Sequence, residues 1–132
     1  MLEDVGVMRD ADGFQRGLRR IAEIDDELSS VGVAADNLAF NLSWHDWLNL
    51  RRLIDMSMVI AKAALSRENS RVAHFREDFP DAGAMQESYF TLASGYGDAI
   101  SVTRAPVKFT IVKPGETLLG EDEAETMIKA AQ

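Results

Sequence analysis

Ala63-Ala64-Leu65-Ser66-Arg67-Glu68-Asn69-Ser70-Arg71-Val72-Ala73-His74-Phe75-Arg76-Glu77-Asp78-Phe79-Pro80 is the stretch on which the fold turns. It opens on small and apolar residues, passes through a dense run of arginine, histidine and carboxylate, and closes on proline. Neither glycine nor proline occurs between Ser43 and Pro80, so a helix entering from the N-terminal side meets no local stop. Trp47, Leu50, Leu53, Ile54, Met58, Ile60, Ala61, Ala64 and Leu65 cover an arc of about 160° at ~100° per residue, opposite Arg52, Asp55, Lys62 and Ser66. The spacing predicts a long helix over about 43–71, on the order of 40 Å at ~1.5 Å per residue. Ser43 and Asp46 resemble a capping box at its start, and a stripe so wide faces more than one neighbour.

Upstream, Asp10 or Asp12 can cap a helix over about 13–30. Phe14, Leu18, Ile21, Ile24 and Leu28 share one face there, with Arg16, Arg19, Arg20, Glu23, Asp26 and Glu27 on the other. Asp25 is the discordant charge at the edge of the apolar face. Gly17 lies within that face, where a missing side chain lets another helix or a large ring approach, and Ser29, Ser30 and Gly32 end the run. A short helical turn is expected within 33–41.

Downstream of Pro80 the chain gains glycine and β-branched residues. Tyr89 to Ala93 and Ala99 to Arg104, joined through Gly95 and Gly97, read as a hairpin that Pro106 ends. Val107, Phe109 and Ile111 alternate with Lys108 and Thr110 as in a further extended segment, which gives a β region over about 88–112. Pro114-Gly115 marks a turn, and Asp122 to Ala131 is expected to form a last helix. The whole, 1–132, reads as one domain: a helical bundle over 1–80 and a β extension with tail over 81–132.

Composition bounds the function. The 132 residues are 46% apolar and 27% charged, as in an ordinary globular domain. No apolar run approaches the ~20 residues of a membrane-spanning helix, and the acidic start lacks the features of an export signal, so a cytoplasmic location without direct membrane insertion is expected. There is no cysteine, which excludes thiolate chemistry, disulfides and thiolate metal sites. A formal net charge of −8 argues against nucleic acid as a partner.

The quoted stretch resembles a signature near the end of the fumarate reductase, succinate dehydrogenase and L-aspartate oxidase flavoproteins, roughly A-L-x-R-x-E-S-R-G-A-H-x-R-x-D-(F/Y)-P. Val5-Gly6-Val7-Met8-Arg9-Asp10 is similar to the family's G-V-x-R-(D/N) lead-in to the same C-terminal domain, and Arg104-Ala105-Pro106-Val107 to its closing strand. The resemblance covers about residues 3–107. It implies a mainly α fold, a spectrin-repeat-like helical bundle followed by a small β extension. Two positions depart from the pattern: Asn69 stands for the usual glutamate and Val72 for the usual glycine. Valine is costly at positive φ, so the helix is expected either to continue past 72 or to leave by a differently shaped exit.

In the family FAD is held by an N-terminal dinucleotide fold, and the substrate histidines and proton-delivering arginine lie there and in a capping domain. None of those motifs occurs in these residues, and Gly95 and Gly97 sit in a hairpin loop, not between a strand and a helix. The resemblance therefore implies FAD for the parent flavoprotein while assigning no catalytic, cofactor-binding or metal residue here. A histidine among arginines and carboxylates can move protons, but at a helix end the same groups cap carbonyls and pair with one another. Arg67, Ser70, Arg71, His74, Arg76, Asp78 and Pro80 are accordingly read as a structural or docking motif, with Arg67, Arg71 and Arg76 as the densest positive patch. His45 and His74 show no metal-ligand spacing, Trp47 reads as core and Trp44 as rim, and the acidic run Glu121, Asp122, Glu123 and Glu125 as a solvated face.

Three functions remain open on this reading. The first is a non-catalytic domain or split subunit that packs against FAD-binding and capping domains of a flavoprotein oxidoreductase. The second is a stand-alone module that self-associates, as a homodimer, through the face its relatives cover with the flavin domain. An independent enzyme is the third and weakest, since no activity is expected from these residues alone.

Overall fold

The computed structural model describes residues 3–118 except 34–36 and 38. The elements run β1 (Met8–Arg9), α1 (Ala11–Val31), α2 (Leu42–Leu65), β2 (Phe75–Arg76), β3 (Tyr89–Ser94) and β4 (Ser101–Pro106). The expected mainly helical architecture with a small β extension is what is found. The expected helix over Asp122 to Ala131 and the acidic run lie outside the described residues, as does most of the short turn expected within 33–41.

The two helices form an antiparallel pair. Asp10 caps α1 by accepting from the Gly13 amide, and Asn41 caps α2 by accepting from the Trp44 amide at 2.9 Å. The cap of α2 is therefore Asn41 and not the expected Ser43 with Asp46, because the helix has already begun at Leu42. Phe14, Ile21 and Leu28 of α1 are buried against Ile54, Ala61 and Ala64 of α2, with Leu18, Trp47, Met58 and Leu65 packed around them. Trp47, near the start of α2, donates its indole N–H to the Leu28 carbonyl at the end of α1, 3.2 Å away. Asp25, discordant in the sequence, lies 3.1 Å from the Arg51 guanidinium. What approaches Gly17 is the lead-in to α1: a Cβ there would sit 3.0 Å from Val5 Cγ2.

The long helix is shorter than its sequence predicts. It stops at Leu65, not near Arg71, so Arg67 to Pro80 lie in turns and a two-residue strand. β1 and β2 pair in parallel, Met8 with Phe75 and Arg9 with Arg76, and the Glu77 amide donates to the Arg9 carbonyl at 2.8 Å. The two sequence stretches that carried the resemblance thus meet in space.

β3 and β4 form the expected antiparallel hairpin, Tyr89 opposite Pro106 through Ser94 opposite Ser101. Its second strand begins two residues later than expected because Gly97–Ala99 form a single 3-10 turn. Gly95 has φ +102°, and a Cβ there would lie 2.3 Å from the Ala99 carbonyl oxygen, so only glycine lets this loop close. Val107–Val112 is not a strand, although it alternates; no strand of the described residues is paired with it. The hairpin is fastened to α2 by Arg104, which donates to the Ser66 carbonyl and stacks over the Tyr89 ring, 4.7 Å from its centroid.

Of the two exits expected, continuation of the helix past 72 is overturned, and Val72 adopts the positive φ it is expected to avoid. It sits at φ +54°, fully exposed, at the first corner of a tight turn closed by Arg71 and His74, whose amides and carbonyls exchange bonds of 2.9 and 3.0 Å. A type II′ turn favours glycine at that corner, and a β-branched residue there is strained. Val72→Gly is expected to stabilise the protein by about 1 kcal/mol, read as a higher urea midpoint at unchanged slope; an unchanged or lower midpoint would show that the turn carries no strain.

Candidate functional site

The quoted stretch folds around one guanidinium. Arg76 is 1% exposed, which for an arginine demands a full set of partners. Its Nε and Nη2 donate to the two Asp78 oxygens at 2.6 Å each, a bidentate pair. Its Nη1 donates to the carbonyls of Leu65 and Arg67, at 3.0 and 3.1 Å. Phe14 and Phe79 carry the guanidinium over their rings, with centroids 5.3 and 5.0 Å away. The Leu65 carbonyl is one that the end of α2 leaves unsatisfied, and the Arg67 carbonyl lies just past the cap Ser66, so Arg76 favours a chain that leaves the helix at Leu65.

Asp78 closes the arrangement onto α1, because its Oδ2 also accepts from the Ala11 amide, 3.0 Å away in the first turn. The hydrogen bonds from Arg76 are the main reason its carboxyl is pulled down to about 2; burial opposes them, and the Ala11 amide and the Arg76 charge add to them. Ser70 fixes the backbone: its hydroxyl accepts from the Arg76 amide at 2.7 Å and donates to the Phe79 carbonyl at 2.8 Å. Arg71 holds the following loop, donating to the Ala82 and Ala84 carbonyls at 2.6 and 2.9 Å and to the Ser88 hydroxyl at 2.9 Å. Pro80 is exposed where the chain leaves the motif.

His74 and Arg67 lie to one side of this network. His74 is 7% exposed, and its Nδ1 lies 2.8 Å from Nη1 of Arg9. Since guanidinium only donates, Nδ1 must accept and the ring proton belongs on Nε2, which is enclosed and meets no acceptor in hydrogen-bonding geometry. Burial is the first cause that pushes the imidazole below its ordinary range, followed by the charge of Arg67; the Arg67 backbone acts in the opposite direction. Arg9 is likewise lowered, by burial and then by Arg67. Arg9, Arg67 and His74 border a groove of about 620 Å³ between α2 and β3, whose walls include Ile60, Ala63 and Phe90.

The positive patch expected from Arg67, Arg71 and Arg76 is thus not a patch. Arg76 is buried, Arg71 is spent on the loop, and the groove pairs Arg67 with Arg9 instead. Arg9 was not among the expected site residues, although its signal was present in the lead-in sequence that resembles the same family. Among the described residues no group of three histidine, aspartate or glutamate side chains is placed to hold a metal ion. His45 is far from His74 in the chain and lies 3.0 Å from the Asn49 amide nitrogen.

The family model "Fumarate reductase flavoprotein C-term" matches residues 1–118. The chain belongs to that family. The fumarate reductase flavoprotein subunit of Haemophilus influenzae is 29% identical over 133 residues, covering 100% of this chain and 22% of the relative. The succinate dehydrogenase flavoprotein subunit of Rickettsia bellii is 31% identical over 99 residues, covering 75% of this chain and 16% of the relative. Among solved structures, an E. coli quinol fumarate reductase chain superposes with a TM-score of 0.77 over 88% of this chain and 20% of that one, at 24% identity, which shows a shared fold. The chain spans about a fifth of the length of such relatives.

Family membership implies a flavin in the parent proteins, and three glycines here do not frame a nucleotide cradle. Gly95 is pressed against its own loop at Ala99, and Gly13 and Gly17 against the lead-in residues Asp4 and Val5, whereas Gly97 beside Gly95 is open.

Removing the partner of a buried charge typically costs about 3–5 kcal/mol. Asp78→Asn is expected to cost about 3 kcal/mol, at the low end because the Asp78 side chain is 30% exposed, measured by urea denaturation at pH 7; a loss under about 1 kcal/mol would mean that Arg76 does not depend on it. A second expectation concerns acid. His74 takes up a proton less readily folded than unfolded, so its contribution is complete above about pH 6.5 and is lost as pH falls through the lowered folded value. Stability should decline from pH 7 to pH 5 in the wild type and decline less in His74→Gln; parallel curves would contradict the assignment.

Proposed function

We propose that these residues form a non-catalytic helical domain that packs against the FAD-binding and capping domains of a fumarate reductase or succinate dehydrogenase type flavoprotein, supplied by the same chain or by a second one. The observation that carries the reading is an apolar stripe on α2 that faces away from α1. Leu53, Met56 and Ile60 recur at helical spacing on that side and are 63%, 55% and 52% exposed. Phe90 continues the stripe across the groove it shares with Ile60. A contiguous apolar surface of this kind marks an interface more often than open solvent. The polar groups of the motif, by contrast, are turned inward on their own chain, and reading Arg67, Ser70, Arg71, His74, Arg76, Asp78 and Pro80 as the scaffold behind that interface is part of the same proposal.

The redox chemistry named by the relatives, acting on succinate or fumarate, would then belong to residues outside this chain. A cytoplasmic location suits that role; no helix of the described residues is long and apolar enough to cross a membrane. Self-association through the same stripe is the competing outcome.

The test is to mix the protein with the flavin-binding portion of a flavoprotein encoded in the same genome. A stable complex with gained fumarate or succinate turnover is expected, and Leu53→Asp with Ile60→Asp should weaken it at least ~10-fold, as loss of central interface residues does. Light scattering that shows a dimer dispersed by the same two substitutions, with no complex formed, would replace the proposal by self-association.

A further inference from the structure

The groove between α2 and β3 has a charge imbalance that the docking reading does not use. Arg9 and Arg67 border it, and neither makes an ion pair among the described residues. Arg9 spends Nε on the Gly6 carbonyl and Nη1 on His74. The Arg67 guanidinium makes a single long hydrogen bond, 3.4 Å to Oδ1 of Asn69. His74, which also lines the groove, is more than nine-tenths buried, and its ring Nε2 has no partner within hydrogen-bonding geometry.

Such a corner is unusual in a chain of formal net charge −8, which has carboxylates to spare. Asn69 occupies the place from which a carboxylate would neutralise Arg67. It is 9% exposed and presents a neutral amide oxygen to the guanidinium. Two guanidinium groups kept close without a counter-charge disfavour each other; the lowered affinity of Arg9 for the proton comes first from its burial and then from the charge of Arg67. An anion entering the groove would relieve the repulsion and meet the guanidinium of Arg67 together with the donors that Arg9 has left, groups suited to a carboxylate. The neighbouring walls, Ile60, Ala63 and Phe90, are apolar and suit the hydrocarbon part of an organic acid. A polyphosphate or nucleic acid would instead face the repulsion of the whole chain.

We propose that this groove is a carboxylate-binding site, with Arg9 and Arg67 as the clamping groups and His74 as the buried wall, left open by asparagine at position 69. The groove shares Ile60 and Phe90 with the proposed docking stripe, but its charged groups, Arg9, Arg67 and His74, lie outside that stripe, and the test is read on the isolated chain, so the two proposals fail separately. Its carboxylate comes either from a free organic acid or from an acidic side chain of another polypeptide.

The experiment uses the full chain, with binding followed by thermal unfolding and by amide chemical shifts at constant ionic strength. The probes are sodium acetate, sodium malonate, inorganic phosphate and a capped peptide with one internal glutamate, with sodium chloride as reference. A saturable rise in melting temperature with a carboxylate probe, beyond chloride, is expected, since a ligand of the folded state stabilises by mass action. Arg67→Gln should weaken binding at least tenfold. Asn69→Asp, which supplies the missing charge internally, should do the same while raising the melting temperature without ligand, and it keeps the test valid should Arg67→Gln fail to fold. Tighter binding of the capped peptide assigns the carboxylate to a partner side chain, and tighter binding of malonate to a free acid; either upholds the site. No saturable response to any carboxylate, a response to phosphate alone, or full binding by Asn69→Asp overturns it.

Discussion

Burying one guanidinium organises this protein. Arg76 cannot be removed from water unless its donors are satisfied, and the groups that satisfy them come from every part of the helical region. Asp78 supplies charge, Leu65 and Arg67 supply carbonyls, and Phe14 and Phe79 supply ring faces. Asp78 in turn holds the first turn of α1. The end of one helix, the beginning of the other and the strand between them are therefore defined by a single side chain. A buried pair of this kind adds little net stability compared with apolar packing, but it penalises any arrangement that leaves one member alone. Its effect is to select one geometry for the helix exit over its competitors.

The features that were legible in the sequence are those with local causes. The face of α1 follows from the spacing of Phe14, Ile21 and Leu28, its cap from Asp10, and the hairpin from Gly95 and the β-branched residues around it. The end of α2 was not legible, because Ser66 to Asn69 contain no breaker; the side chain that favours an exit at Leu65 lies eleven positions further on, at Arg76. The shape of the turn at Val72 was hidden for a similar reason. Sterics argue against positive φ for valine, and only the closure of Arg71 on His74 imposes it. Alternation in Val107–Val112 misled in the opposite sense, since a pattern that suits a strand does not provide a neighbouring strand.

The candidate site shows the same division. Its residues from Arg67 to Asp78 could be singled out as a chemical cluster, because they are adjacent in sequence. Their separation into an inward network around Arg76 and an outward pair with Arg9 could not, since it depends on which residues the parallel β1 and β2 ladder brings into register. Polarity is consequently inverted in this part of the fold. Charged groups are enclosed, while Leu53, Met56 and Ile60 on α2 meet water.

The β1 and β2 ladder has a mechanical meaning as well. Because the two strands are parallel, the chain before Met8 and the chain after Arg76 depart from opposite ends of it. Tension along the backbone from the two flanks therefore loads its bonds together, in shear, and does not peel them one after another. Everything between, both helices included, hangs as a closed loop outside the line of force. Neighbouring segments can be tugged or displaced while the helix pair and the groove beside it keep their internal geometry.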